Sequence, residues 1–446
     1  MKHRKWVHLL NGLCVPKKKT SNTHYFKMKY YIAVSTPIIC LIFQKMLHMI
    51  ICNSLNQLYA DEHCMNHNAN CWPDEKQMLL LKAALCEYDT AQSAWHAYCA
   101  RTDLHNINHA ETTLLPLVFY NLKHDHRYPD QFQLCKSVHQ HTWASNHLAL
   151  FQFKKLSDAF ADANIAICFL KGAALILNDY PNAGLRVMGD IDILVSKEDV
   201  KNATALLKKL RHDPKSLMQQ TDIDELHAQL FYSESVLPVD LHWKIFIGSG
   251  FDNKFSNFTY QEKTLGTNKF NLNGKTLSAE DQLLHVLVHG LQYNQTPLIR
   301  WITDSHFILK NNVDFDWVYF LAQTKNIEVM LLVKKAILFL QAHQFSSISN
   351  NVLTLLNEYT PRQDEIRYLK FITTSPSTHF MFPYKFIWSY HVRNLKTKNR
   401  LIAFFMLPAF LKNAWGIKNW FLFFIFLFKK IKNNLRKACT TNAREA

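Results

Sequence analysis

Two short runs of alternating residues constrain this chain more than any other feature: Asp190-Ile191-Asp192-Ile193-Leu194-Val195 and Val239-Asp240-Leu241-His242-Trp243. Successive side chains of a β-strand point to opposite faces. The first run therefore puts Asp190 and Asp192 on one face, with Ile191, Ile193 and Val195 on the other. The second puts Asp240 and His242 together, opposite Val239, Leu241 and Trp243. A chain carrying both must bury one apolar sheet face while leaving an acidic face next to it. Two carboxylates on an otherwise buried strand are unfavourable unless something cationic sits between them. A divalent metal meets that need, and hard oxygen donors suit magnesium.

Upstream, Ile165 to Leu170 is an apolar run long enough for a buried strand, bounded by Lys171-Gly172. The pattern predicts a tight turn at Gly172, where a backbone without Cβ passes close to a ligand. A helix starting near Ala173 follows, and its N-terminal N–H groups form a ready anion site. A loop with Pro181 and Gly184 then leads to the first alternating run.

A glycine at a strand-to-helix turn followed by Asp-x-Asp on the next strand resembles the nucleotidyltransferase superfamily to which DNA polymerase β belongs. The longer ordered set is similar to one branch, the uncharacterised nucleotidyltransferase family. The residues that carry it are Leu170-Lys171-Gly172, Tyr180, Gly184-x-Arg186, the run from Gly189 to Val195, and Val239 to Trp243. The resemblance extends more weakly from about Asp74 to about Lys437. It implies transfer of a nucleoside monophosphate from a triphosphate, with ATP the expected donor, to an unspecified acceptor, with pyrophosphate released. It implies Mg2+ (or Mn2+) held by Asp190, Asp192 and Asp240. Lys171, Gly172, Arg186 and Gly189 would meet the phosphates, and His242 would be a substrate contact.

Structural readings compete with each of these. Arg186 can pair with Asp190 or Asp192, Lys171 can be a solvated charge, and His242 and Trp243 can be packing partners. Asp-x-Asp also holds the metal of nucleotide-sugar glycosyltransferases, which leaves Gly172 and Asp240 unexplained. A non-catalytic nucleotide-binding module would keep all three carboxylates. His285 and His289 lie four apart, as metal ligands can, but no Glu follows His285, so they read as core or interface residues.

The net charge of +16 does not imply nucleic acid. Residues 1–60 hold nine basic and no acidic residues, and residues 381–446 hold thirteen basic residues and only Glu445, so the remainder is net −5. The basic character belongs to the ends, and no sequence-specific nucleic-acid partner is expected. The ten cysteines show no repeated CxxC spacing. A chain of this length does not need disulfides, and nucleotide chemistry belongs in the reducing cytoplasm. His63, Cys64, His67 and Cys71 are zinc-ligand types without a zinc-site spacing, and a loose polar loop is the competing reading.

The expected architecture is α+β. A small mixed-sheet nucleotidyltransferase core (161–277) is flanked by an N-terminal helical region (74–160) and a C-terminal helical region with a basic amphipathic tail (278–446). A basic, partly apolar extension (1–73) precedes them. Met78, Leu81, Leu85 and Tyr88, and again Ala149, Phe153, Leu156 and Phe160, recur at helical spacing. Leu114 to Leu122 is a further apolar run. Ser196 and Asp199 read as a capping box before a helix bearing Val200, Ala203, Leu207 and Leu210. Ala228–Ser233 and Leu237–Trp243 are strand candidates. Asn273-Gly274 signals a type I′ hairpin, and Ser278 with Asp281 caps the next helix. The apolar stretches Ile32–Cys52 and Trp420–Phe428 are too broken or too short to span a bilayer. Trp420–Phe428, followed by Lys429-Lys430-Ile431-Lys432, suits either a last docked helix or contact with a membrane surface.

Overall fold

The computed structural model describes residues 71–103, 107–123, 129–214, 227–233, 237–246, 260–264, 272–291 and 299–362, with short pieces at 365–366, 369, 402, 405–409, 412 and 419–427. All of them belong to one compact unit, Asn66–Ala446. The residues His63, Cys64 and His67 and the apolar stretch at 32–52 lie outside the described residues.

Helices α1 (Glu75–Leu85), α2 (Tyr88–Cys99), α3 (His109–Thr112), α4 (Leu115–Leu122) and the long α5 (Pro129–Asp162) precede the sheet. Asp74 caps α1 through a box with Gln77, each side chain accepting from the other's backbone N–H. Pro116 falls in the first turn of α4, where its missing N–H leaves no bond unmade. The chain then alternates through β1 (Cys168–Phe169), α6 (Lys171–Asn178), β2 (Ile191–Leu194), α7 (Val200–Lys209), β3 (Asp213–Pro214), β4 (Ala228–Tyr232), β5 (Val239–His242), β6 (Glu262–Thr264) and β7 (Lys275–Leu277). It continues through α8 (Ala279–Gly290), α9 (Arg300–Asn311), α10 (Trp317–Asn326), α11 (Met330–Ala342) and α12 (Asn350–Glu358).

The described strands form one mixed sheet in the order β3-β4-β5-β2-β1-β7-β6. β2 runs parallel to β5 and antiparallel to β1, while β1 runs parallel to β7. The alternation sorts the sheet faces as predicted. Ile191, Ile193, Val195, Val239, Leu241 and Trp243 join Phe153, Phe160, Val200, Ala203 and Leu207 in one apolar cluster. Leu210, expected on that stripe, is 37% exposed because it caps α7 after the last turn. Cys168, Leu194 and Leu277 join a second cluster, shared by helices from both sides of the sheet region. Leu81, Trp95 and Val118 from the first group lie there with Leu284, Trp301 and Val333 from the last. Trp301 is its hub: it is buried, its Nε1 donates to Cys71 O at 2.9 Å, and its ring meets Trp72 edge-on at 5.5 Å.

The expected hairpin at Asn273-Gly274 is not formed. β7 pairs with β6, ten residues upstream, and with β1, while Asn273 N–H turns to Ser157 Oγ. Gly274 has φ +155°, and a Cβ there would stand 2.8 Å from the Phe169 ring. Its glycine serves close packing against β1. The expected Ser196–Asp199 capping box is not completed: Asp199 N–H donates to Ser196 Oγ, but the Asp199 carboxylate accepts from the Ser196 hydroxyl and not from its backbone N–H, and α7 begins only at Val200 after an N-cap without a side-chain bond. Ser278 caps α8 as predicted, its hydroxyl accepting from Asp281 N–H.

The loop between α6 and β2 is tied on two sides. Asn146 of α5 donates to Ala183 O and Arg186 O at 2.5 and 2.7 Å. Arg186 reaches Asp304 of α9 in a bidentate pair, Nε to Oδ1 at 2.8 Å and Nη2 to Oδ2 at 2.9 Å, and Tyr180 OH donates to the same Asp304 Oδ1 at 2.6 Å. All three residues are buried. Removing one partner of such a pair leaves an uncompensated buried charge. Asp304→Ala should therefore lower unfolding free energy by about 3–5 kcal/mol, whereas Arg186→Met with Asp304→Leu should recover most of that loss. Urea titration of the three proteins checks this, and a double variant no better than the single one would refute it.

Candidate active site

The parallel pairing of β2 with β5 sets Asp192 opposite Asp240 and Leu194 opposite His242. His242 Nε2 lies 3.0 Å from Asp192 Oδ1 and 3.1 Å from Asp240 Oδ2. One donor atom from each of these three residues lies within 4.8 Å of the others. Lys171 completes the group, its Nζ donating to Asp192 Oδ1 at 2.6 Å and lying 3.5 Å from His242 Nε2. Lys171 is thus ion-paired and not a solvated surface charge.

The electrostatics follow from this packing. Burial opposes ionisation of Asp192, yet the Lys171 ammonium and the His242 hydrogen bond hold its carboxyl far below the usual carboxylate range. Burial likewise opposes the charge on Asp240, but His242 outweighs it and the net shift is downward. Burial lowers the affinity of His242 for its proton, and the two carboxylates more than restore it, so its pKa is raised. Its Nδ1 is buried without a hydrogen-bond partner among the described residues. Two ionised carboxylates with one imidazole and an ammonium already drawn between them form a place where positive charge is favoured. The donor types fit a divalent ion.

Asp190 behaves differently. It precedes β2, is half-buried, and contributes no atom to the three-residue donor group. Burial and the adjacent Asp192 charge push its carboxyl up to about 6.

A cleft of about 190 Å3 opens beside Asp192. One wall comes from the start of α6 and β2, with Lys171, Gly172, Asp190 and Asp192; the other comes from α8 and α9, with His285, His289, Arg300 and Asp304. Arg186 and Gly189 lie between the walls. Asp240 and His242 are not in its lining, so Asp192 is the residue common to the cleft and the donor group. The predicted phosphate-contact residues are therefore brought together, but their individual states differ from expectation. The left-handed backbone at the start of α6 is that of Lys171, its first residue, with φ 42°, and not that of Gly172. A non-glycine residue held there stores roughly 1–3 kcal/mol of strain. Gly172 is instead required by close approach inside the protein: a Cβ would stand 2.8 Å from Arg186 Nη1 and 2.9 Å from Met188 Cγ. Nothing lies within 4 Å of a Cβ at Gly189, which is exposed. Arg186 pairs with Asp304, not with Asp190 or Asp192.

The helical wall carries what the sequence reading missed. His285 is buried, and burial together with the Lys171 charge drives its pKa well below the ordinary value. The same causes push His289 down to about 3, so both imidazoles are neutral at physiological pH. Arg300 donates from Nη1 to Val187 O at 2.8 Å. The spacing of the two histidines was visible in the sequence; that α8 lies across from β2 was not. Cys71, from the suspected zinc cluster, is a buried thiol pushed up to about 12 by burial, a packing residue.

No curated protein matches the chain. Among solved structures, it is similar to the antibiotic-resistance factor ANT(2'')-Ia, with 11% identity over 44% of this chain and 97% of that one and a TM-score of 0.28. It is also similar to an antigenic nucleotidyltransferase-like protein from Paracoccidioides brasiliensis, with 14% identity, coverage of 47% and 98%, and a TM-score of 0.29. The profile of a family described as "Uncharacterised nucleotidyltransferase" matches residues 108–343, more than half of the chain and the whole of the described sheet. The chain belongs to this uncharacterised nucleotidyltransferase family.

Proposed function

We propose that this enzyme moves a nucleoside monophosphate from a triphosphate, ATP being the expected donor, to an acceptor, with pyrophosphate released and a divalent metal required. The observation that carries the reading is the β2–β5 register, which sets Asp192 and Asp240 side by side, with Asp192 in the lining of a cleft that also holds Lys171, Arg186 and Arg300. Asp192 and Asp240, with Asp190 from the approach to β2, are the groups that would hold Mg2+ or Mn2+. Such an ion supplies positive charge to the attacking and leaving oxygens. The depressed pKa of Asp240 makes it a standing negative ligand and a weak proton acceptor. His242 holds Asp192 and Asp240 in place through Nε2; buried and outside the cleft lining, it would bear on an acceptor through them. Lys171, Gly172, Arg186 and Gly189 line the cleft where the triphosphate would lie. Lys171 and Arg186 supply charge there, and their own low exposure strengthens it.

Asp192→Asn or Asp240→Asn should each reduce magnesium-dependent pyrophosphate release from nucleoside triphosphates by more than about a hundredfold, since even outer-shell residues of metal sites contribute tenfold to a hundredfold. Unchanged release in either variant would exclude the metal role. Absence of release from the intact enzyme with all four triphosphates and a cell lysate as acceptor would favour a binding module, and release of nucleoside diphosphate from a nucleotide sugar would favour glycosyl transfer.

Asp190 gives a second, pH-based test. Its carboxyl titrates at about 6 in the folded chain against an ordinary 3.8, so the folded state keeps a proton that the unfolded state has lost. Stability therefore falls as pH rises between these values, and the penalty persists above them. In chelator, Asp190→Asn should melt a few degrees above the parent at about pH 8, and the gap should shrink towards about pH 5. A variant that melts lower at the higher pH would contradict the assignment.

We place the enzyme in the cytoplasm, with its C-terminal segment on a membrane surface. Among the described residues no helix is long and apolar enough to cross a membrane. Residues 420–427 are helical and leave Phe421, Leu422 and Phe424 60%, 56% and 50% exposed, just ahead of Lys429, Lys430 and Lys432. Apolar rings beside lysines suit an anionic headgroup layer. Sedimentation with phosphatidylserine vesicles should carry the full chain down and a chain ending at residue 412 much less; equal sedimentation would exclude the tail as the contact.

A further inference from the structure

The cleft lining holds three permanent cations, and two of them are already matched. Lys171 is paired with Asp192 at 2.6 Å, and Arg186 has its Nε and Nη2 taken by Asp304. Arg300 has no carboxylate within salt-bridge distance among the described residues; its one hydrogen bond runs from Nη1 to the Val187 carbonyl at 2.8 Å. Burial and the neighbouring Arg186 charge both work against its protonation. The Asp304 and Asp190 carboxylates in the same lining offset this only in part, since the net shift is downward and neither stands within salt-bridge distance among the described residues.

We propose that Arg300 is a binding residue for the polyphosphate tail of the donor, a role that rests on the nucleotidyl-transfer reading above. Several observations converge on this ligand class. Arg300 presents to the cleft a guanidinium fork that no salt bridge among the described residues takes up, whereas Arg186 and Lys171 are each paired with a carboxylate. Arginine presents several N–H donors in a planar fork suited to phosphate oxygens, and the bond to Val187 O uses only part of that fork. That same bond fixes the side chain before any ligand arrives, so little rotamer freedom remains to be lost on binding. Arg300 is also the first residue of the twelve-residue α9, where the helix dipole is positive. Arg186 then serves chiefly to fix the cleft through Asp304, while Arg300 grips the anion. The division makes the site a product of both parts of the chain: acidic groups from the sheet and the anion grip from the helices that follow it.

The test uses the full chain with inorganic tripolyphosphate as probe, in chelator, followed by titration calorimetry and thermal melting. Arg300→Met should weaken tripolyphosphate binding by about tenfold or more, the range expected for losing charged hydrogen bonds. Arg300→Lys keeps a charge and a donor for Val187 O and should hold an intermediate affinity with an unchanged melting temperature. Equal affinity in the parent and Arg300→Met overturns the role of Arg300 and leaves the nucleotidyl-transfer reading standing. An Arg300→Lys protein that binds no better than Arg300→Met and melts equally low also overturns it, because Arg300 would then be only an anchor for the loop at Val187. A parent that binds neither tripolyphosphate nor any nucleoside triphosphate removes both this proposal and the reading beneath it.

Discussion

The parallel register between β2 and β5 is the constraint on which the rest of this molecule depends. Ile191 faces Val239 and Ile193 faces Leu241, and all four are completely buried in the cluster under the sheet. A slip of one residue would turn those side chains out and drive Asp192, Asp240 and His242 into the apolar layer. Burial of four aliphatic side chains thus determines which carboxylates lie next to each other on the opposite face. The site inherits its geometry from the core, and no loop has to be ordered to assemble Asp192, Asp240 and His242.

The other half of the site comes from helices that share a core with the N-terminal helical region. Asp304, Arg300, His285 and His289 sit on α8 and α9, whose buried faces pack through Leu284, Trp301 and Ile302 against α1 and its neighbours. The close passage of α8 and α9 is visible at Gly290, where a Cβ would stand 2.3 Å from Trp301 Cβ. The Arg186–Asp304–Tyr180 network joins the two halves across the loop that leads into β2. A change deep in the helical core, far from any charged group, therefore moves one wall of the cleft relative to the other.

What could be read from the sequence is what has a short period. The alternation at 190–195 and 239–243 predicted the strands, the partition of faces, and the meeting of Asp240 with His242, because these depend only on neighbours two apart. Ser278 was legible for the same local reason. Asp190 lies just outside β2, where strand alternation no longer determines its direction, yet it lines the cleft with Asp192. Glycine chemistry misled twice. The conformational burden at the Lys171-Gly172 turn falls on Lys171, and the Asn273-Gly274 pair packs against β1 in place of closing a hairpin. In both places the glycine answers a steric contact with residues distant in sequence. Arg186 had the right need for a carboxylate, but its partner lies 118 residues away on α9. The role of Arg300 depends on the same long-range packing, which no local pattern encodes.

Lys171 reconciles folding with the proposed chemistry. An acidic pair such as Asp192 and Asp240 must be tolerable while the chain folds, before any ligand is present. His242 alone supplies one proton-bearing atom, Nε2, to two carboxylates. The Lys171 ammonium supplies the second positive group at 2.6 Å from Asp192, and a strained backbone at φ 42° is what points it there. The strain of about 1–3 kcal/mol is smaller than the several kcal/mol that an uncompensated buried charge costs, so the left-handed turn is the lesser penalty. Lysine is better suited to this position than arginine, because a compact ammonium on a flexible stem can change partners without breaking a bidentate fork. The same side chain lines the cleft. It is therefore the group through which the charge balance of the acidic strands reaches the cleft.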